Sequence, residues 1–101
     1  MSAYVIILRE EPIQDPEALA EYHRLISLGP QPENMKLHVL YGPSEALLGT
    51  PPDGVVVMEF PSMEEAKAWY DSPHYREARV FRQKAAKHRE LIVEGFVFPP
   101  Q

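Results

Sequence analysis

AYVIIL, residues 3–8, is an uninterrupted apolar run rich in β-branched side chains. A second run of this kind, VVVMEF, occupies residues 55–60 and is broken only by Glu59. Apolar runs of this length without polar alternation are typical of strands buried on both faces. The two runs therefore predict the central strands of a sheet, and the elements between and after them decide its topology.

The segment after the first run has the signals of a helix. Asp15 is a good N-cap, and Pro16 suits the first helical position, where its missing N–H costs nothing. Gly29-Pro30 stops the helix. Its inward face is predicted from side chains at helical spacing: Leu19, Tyr22, His23 and Ile26.

A second strand is predicted over Lys36 to Tyr41. The stretch from Gly42 to Gly54 is rich in proline and glycine, which indicates a long hairpin connection to the third strand. Glu45 to Leu48 is the part of this connection that can form a short ribbon.

The second half of the chain predicts a broken helix and a last strand. Ser62 and Glu65 form a capping box at the helix start. Ser72-Pro73 interrupts the helix, because the residue before proline is pushed out of the α region. A fourth strand is predicted over Leu91 to Val97. The helical stripe beyond the break comprises Tyr75, Ala78, Phe81, Arg82 and Ala85.

The resulting order, β-α-β-β-α-β, is the ferredoxin-like arrangement and predicts one α+β domain over residues 1–101. Handedness and non-crossing rules favour an antiparallel sheet with strand order 4-1-3-2. Helices cover only one face of such a sheet, so the other face would expose a large apolar patch. A second copy of the same sheet, related by a two-fold axis, is the most economical cover. We therefore expect a homodimer of the dimeric α+β barrel type.

Composition excludes several classes of function. The net charge of −5 argues against nucleic-acid binding, and the basic stretch from Arg76 to Arg89 is interrupted by Glu77. The absence of cysteine excludes disulfides and a thiolate nucleophile. No apolar stretch approaches membrane-spanning length and no signal peptide is evident, so we expect a soluble cytoplasmic protein.

An ordered set of short motifs resembles a known family. The most similar part runs from Val55 to Gly95 and contains EFPS (59–62), WYDSPHY (69–75) and VEG (93–95). Asp15-Pro16 and Tyr22 precede this part, and Arg82 lies within it. This set resembles family 1330 of the domains of unknown function, small bacterial members of the dimeric α+β barrel superfamily.

The resemblance implies a ferredoxin-like subunit, a dimer, and a cavity between sheet and helices. It implies no activity, since similar superfamily members include cofactor-free monooxygenases, isomerases, haem enzymes and plain ligand binders. The chain departs from the family around its second strand. Asn34-Met35 and Tyr41-Gly42 replace the usual glycine pairs, and Leu40 stands where arginine is expected, so a ligand of that region can differ.

One group of candidate site residues comes from the predicted topology. The end of the third strand, Glu59, is expected beside His38 of the second strand and Tyr4 of the first. Such a group can accept, shuttle and donate protons, which makes Glu59 and His38 candidate catalytic residues. The structural alternative is that Glu59 pairs with a basic neighbour or a helix N-terminus while His38 lies half-exposed on an edge strand.

A second group lies on the helices. Arg82 falls on the apolar stripe, and an inward arginine needs an acidic partner, Asp71, Glu59 or Glu94, or an anionic ligand. Aromatic side chains around the Ser72-Pro73 break can wall a pocket for a planar ligand, although aromatics at this spacing also serve as core packing. The candidate ligand-binding residues are Arg82, Tyr4, Trp69, Tyr75, Tyr22 and Asp71.

Two hypotheses of function follow. The first is a barrel that binds a small, partly apolar or anionic molecule without catalysis. The second is a cofactor-independent isomerase or monooxygenase in which His38 or Glu59 moves a proton and Arg82 orients the substrate. The histidines show no metal-ligand spacing, and no phosphate loop or nucleophile elbow is present, so neither a metal nor a cofactor is expected.

Overall fold

The computed structural model describes residues 1–97, which form four strands and three helices. In chain order these are β1 (Ala3–Arg9), α1 (Pro16–Leu28), β2 (Lys36–Leu40), β3 (Gly54–Phe60), α2 (Met63–Tyr70), α3 (Pro73–Ala85) and β4 (His88–Glu94). The sheet is antiparallel with strand order β2-β3-β1-β4, which confirms the predicted order read from the other edge.

Local signals start the helices as predicted. The Asp15 carboxylate accepts a hydrogen bond from the Ala18 amide at 3.0 Å and caps α1. Ser62 Oγ accepts from the Glu65 amide at 3.1 Å and caps α2. Ser72 ends the second helix region and caps α3, with Pro73 in the first turn. The predicted break at Ser72-Pro73 is therefore confirmed.

The sheet has two different faces because successive strand residues point to opposite sides. Alternate residues of the central strands face the helices and form the core with Ala66: Ala3, Val5, Ile7, Val56, Met58 and Phe60. The residues between them, such as Ile6 and Val57, lie on the outer face and are only partly covered. This outer face is the apolar surface that the sequence predicted.

Two predicted strand boundaries were wrong. The fourth strand covers His88–Glu94 instead of Leu91 to Val97, because β1 pairs with it along its whole length from Ala3↔Glu94 to Arg9↔His88. The second strand ends at Leu40, since Tyr41 has a φ of 54° and its left-handed backbone leaves the strand. The ribbon at Glu45 to Leu48 is absent, and this segment is irregular.

Helices α1 and α3 pack mainly against each other, whereas α2 contacts the sheet at β1, β3 and β4. The α1–α3 pair is thus held away from the part of the sheet that contains β2 and β3. All five residues of β2 are exposed, as expected for an edge strand with no close cover on either face. The space between this edge and the two helices is the cavity described next.

Candidate functional site

A cavity of about 860 Å³ separates the inner face of the sheet from α1 and α3. This volume is in the usual range for small-molecule sites. Its floor is apolar, formed by residues of β1, β2 and β3, and its roof is formed by the two helices. The residues that line it include Ile7, Leu37, Leu40, Val56, Met58 and Phe60 from the sheet and Tyr22, Ile26, Trp69, His74, Tyr75 and Arg82 from the helices.

Arg82 is the buried charge of the cavity wall, with 1% of its surface exposed. Its Nη2 donates to Glu90 Oε1 at 2.6 Å and to the Tyr75 hydroxyl at 3.3 Å. Its Nε and Nη1 are buried and have no hydrogen-bond partner among residues 1–97. Because buried polar groups are nearly always paired, two unpaired nitrogens beside a cavity indicate a missing acceptor.

Glu90 is the partner that holds Arg82 in place. Burial alone would raise the pKa of Glu90, but hydrogen bonds from Tyr70 and Arg82 outweigh it and leave the pKa below its ordinary value. Tyr70 donates to Glu90 Oε1 at 2.6 Å, and Gln83 Nε2 donates to Oε2 at 3.0 Å. Burial alone would lower the pKa of Arg82. The neighbouring Tyr75 and Glu90 raise this pKa by more than burial lowers it, so the guanidinium stays charged. The carboxylate is therefore ionised and the pair is a true ion pair.

The tyrosines extend this network into the cavity. The hydroxyls of Tyr22 and Tyr75 lie 3.3 Å apart, and that of Tyr75 accepts from Arg82. Burial, together with the neighbouring Tyr75, raises the pKa of Tyr22 above its ordinary value. The Tyr22 hydroxyl is therefore neutral near pH 7 and can donate a hydrogen bond.

An aromatic wall stands beside the tyrosine hydroxyls. The rings of Trp69 and Tyr75 lie 4.1 Å apart between centroids and are inclined by 31°. Phe60 continues the wall on the sheet side, with its centroid 5.3 Å from that of Trp69. These separations fit offset aromatic packing and make this part of the cavity wall aromatic and apolar.

His74 is a further cavity residue, and the sequence pattern did not single it out. Its Nε2 is buried and finds no partner within the described part of the chain. Its imidazole packs against Gly29 at the end of α1, where an added Cβ would overlap the ring. The one signal in the sequence is that His74 lies within the WYDSPHY motif (69–75), but its place in the cavity depends on how α1 and α3 meet.

The predicted group at the end of β3 does form, but on the outer face of the sheet. His38 Nε2 lies 2.7 Å from Glu59 Oε1, and Glu59 is the direct register partner of Tyr4 and of Lys36. Hydrogen bonds from His38 and Ser2 lower the pKa of Glu59 below its ordinary value. A register shift between Leu37 and Val39 locates His38 at a bulge.

The sheet therefore separates the candidate residues into two sets. Tyr22, Trp69, Tyr75 and Arg82 line the cavity, whereas Tyr4, His38 and Glu59 are absent from its wall. Glu59 follows Met58 and precedes Phe60, both of which face the cavity, so it points to the other side. Within one subunit the sheet thus lies between His38 and Glu59 on one side and Arg82 on the other.

Asp71 belongs to neither set. It caps the end of α2, and its side chain is 68% exposed and 3.8 Å from Arg79 Nη1. The partner of Arg82 is Glu90, and the expectation of Asp71, Glu59 or Glu94 in that role was wrong. The strand boundary explains the error, because Glu90 was placed before the fourth strand rather than inside it. Among the described residues, no group of three His, Asp or Glu side chains could hold a metal ion.

The family model of DUF1330, a domain of unknown function, matches residues 2–96, so the chain belongs to this family. No curated protein sequence matches the chain. No helix between residues 1 and 97 has the length and apolar character needed to cross a membrane.

Solved structures agree on the fold. An EthD (ethyl tert-butyl ether D) family protein from Bacillus halodurans matches at 18% identity and a TM-score of 0.62, covering 95% of this chain and 100% of its own. A dimeric ferredoxin-like protein of unknown function from Bacteroides fragilis matches at 15% identity and a TM-score of 0.58, and the match covers 93% of this chain and 96% of its own. The hydroxynitrile lyase of Passiflora edulis matches at 15% identity and a TM-score of 0.53, and the match covers 97% of this chain and 96% of its own. At these identities the likeness shows the ferredoxin-like fold alone.

Proposed function

We propose that this protein binds a small, mostly apolar molecule through one acidic group, in the cavity between the sheet and helices α1 and α3. The observation that supports this most directly is Arg82, a buried cation that has two unpaired nitrogens and lies on the wall of a largely apolar cavity. A charged donor facing a low-dielectric space favours a charged acceptor, which makes a carboxylate the preferred group.

The surroundings of Arg82 favour an oxygen ligand of limited size. Glu90 already occupies Nη2, so an incoming oxygen has either Nε or Nη1 left to bind, and these two nitrogens lie on different edges of the guanidinium. The neutral Tyr22 hydroxyl can donate a further hydrogen bond. The apolar body of the ligand then lies on the wall formed by Phe60 and Trp69. Shape and a few fixed donors are sufficient for binding, and no proton-transfer residue is required.

Calorimetry with matched ligands tests this proposal. Benzoate, cinnamate and octanoate are titrated beside their carboxamides, and we expect each acid to bind at least about tenfold more tightly than its amide, as charged hydrogen bonds predict. The paired variant Arg82→Met/Glu90→Met removes the anchor without leaving a lone buried charge, and it should abolish this preference. The control is Arg24→Met/Glu21→Met, which removes an exposed ion pair of α1. Equal binding of acids and amides by the wild type would overturn the proposal.

We also propose that two copies pair through the outer face of the sheet. Ile6, Val39, Val57, Leu91 and Val93 give this face its apolar character, and Val39, Leu91 and Val93 are at least 37% exposed in the subunit. The dimeric neighbour of the same fold supports this assembly. In such a dimer His38 and Glu59 lie at or beside the interface, so their role is in association rather than in the cavity.

The enzymatic alternative has less support. One structural neighbour is a hydroxynitrile lyase, but the likeness extends to the fold alone. The residues expected to move a proton, His38 and Glu59, lie across the sheet from the cavity of their own subunit. The binding function therefore accounts for more of the structure.

A further inference from the structure

We propose that the ligand is elongated and carries a hydroxyl group at the end opposite its carboxylate, with His74 as the second anchor. This inference rests on the proposed function, because it takes the carboxylate site at Arg82 as one end of the ligand. It adds the chemistry of the other end and the distance between the two.

The two anchors occupy one helix. His74 lies in the first turn of α3 and Arg82 in its last turn, eight positions later. With a rise of about 1.5 Å per residue, the two backbone positions are about 12 Å apart along the helix axis. Both side chains line the same cavity. A ligand that contacts both must therefore span about this distance, or somewhat less where the side chains lean toward each other.

Each anchor has at least one side-chain nitrogen without a hydrogen-bond partner among residues 1–97. His74 Nε2 is buried without a hydrogen bond from residues 1–97, as are Nε and Nη1 of Arg82. Gly29 lets the imidazole approach the end of α1 closely, since a larger residue there would overlap it. Two residues of one cavity wall that each carry an orphaned nitrogen indicate two polar contacts made by a single occupant.

The wall between the anchors indicates the body of the ligand. Tyr75 follows His74 in the chain, and its ring packs on Trp69 with centroids 4.1 Å apart. This surface is flat and apolar and suits an aromatic ring or a conjugated chain. A hydroxyl suits His74 because it both donates and accepts, and so pairs with either imidazole tautomer. Hydroxyaryl carboxylates with a short spacer are therefore the class that fits.

The experiment compares two pairs of acids by calorimetry on the full chain. The long pair is 4-hydroxycinnamate and cinnamate, and the short pair is 4-hydroxybenzoate and benzoate. We expect the hydroxyl to strengthen binding about fivefold to tenfold in the long pair, the usual worth of one hydrogen bond, and to have little effect in the short pair. His74→Leu should remove the gain while leaving cinnamate binding intact. His38→Leu, which replaces a histidine on the opposite face of the sheet, is the control and should retain the gain.

The outcomes separate this inference from the one on which it rests. If both long acids bind equally to the wild type while Arg82 still selects acids over amides, His74 is not an anchor and the inference is overturned. An unchanged gain in His74→Leu overturns it as well. If no acid binds in preference to its amide, the proposed function itself fails. The comparison of the two long acids uses the wild type alone, so it remains decisive even if His74→Leu does not fold.

Discussion

Arg82 Nη2 lies 2.6 Å from Glu90 Oε1 and joins the inward face of α3 to β4, the strand at one edge of the sheet. The side chains are 2% and 13% exposed, so this is a buried ion pair. Such pairs contribute little net stability when intact, but removing one partner leaves a charge with no compensation. The pair therefore both positions Arg82 and makes the fold depend on Glu90.

Glu90→Gln should lower the free energy of unfolding by about 2–3 kcal/mol, because the amide leaves the Arg82 charge unbalanced even if it keeps a hydrogen bond. Urea denaturation followed by circular dichroism measures this change. Glu77→Gln, on the exposed side of α3, is the control and should change stability by less than about 0.5 kcal/mol. Equal effects of the two substitutions would show that the ion pair is not a structural requirement.

At acid pH the Glu90 carboxylate should no longer contribute to the free energy of unfolding. The folded-state pKa of this carboxyl is lowered from 4.5, so its ionised form stabilises the native state. That contribution is fully present above pH 4.5 and is lost as the pH falls through the lower folded-state pKa. We expect the stability difference between wild type and Glu90→Gln to narrow progressively below pH 4.5, in denaturation curves recorded between neutral and acid pH. A difference that stays constant would contradict the lowered pKa.

Gly29→Ala should destabilise the protein by about 1–3 kcal/mol, the usual cost of forcing extra volume into a packed site. The added methyl group would overlap the His74 imidazole. Gly42→Ala is the matched control, since nothing lies within 4 Å of a Cβ at that position. Thermal unfolding measures both. The double variant Gly29→Ala/His74→Ala should recover most of the lost stability. If the stability stays low in the double variant, overlap with His74 is not the cause of the destabilisation.

Val57→Asp should convert the proposed dimer into a monomer at micromolar concentration. Val57 pairs with Ile6 on β1 and with Val39 on β2, so it lies near the middle of the outer face. A carboxylate there would be buried without a partner on association. Val80→Asp is the control, because Val80 is 57% exposed on α3, away from this face. Light scattering during size-exclusion chromatography gives the mass. A wild-type monomer, or a Val57→Asp dimer, would refute pairing through this face.

The topology could be predicted from the sequence because each step had a local physical signal. The apolar runs at 3–8 and 55–60 indicated central strands, and Asp15, Ser62 and Ser72 marked the helix starts that the structure confirms. The fourth strand was misplaced because His88-Arg89-Glu90 is polar and looks like a loop. Pairing with β1 and the contact between Glu90 and Arg82 stabilise it as strand, and both are long-range interactions that local pattern does not contain.

The candidate site was predicted in part, and one error was avoidable. Side-chain alternation along β3 already puts Glu59 opposite Met58 and Phe60, so its separation from Arg82 could have been predicted from the sequence. The orphaned nitrogens of Arg82 and His74 could not, because they depend on which acceptors the folded chain brings within reach. A sequence shows that a group is polar, whereas only packing shows that it is unsatisfied.

The exposure of β2 has a consequence for how a ligand enters and leaves. This strand is hydrogen-bonded to β3 alone, at the edge of the sheet, and Leu37 and Leu40 form part of the cavity wall. Few buried contacts oppose its detachment, so its amides should exchange with solvent by local opening well before those of β1. For the proposed ligand we therefore expect a low barrier to entry and release on the β2 side of the cavity, where the wall residues Leu37 and Leu40 are themselves exposed to solvent.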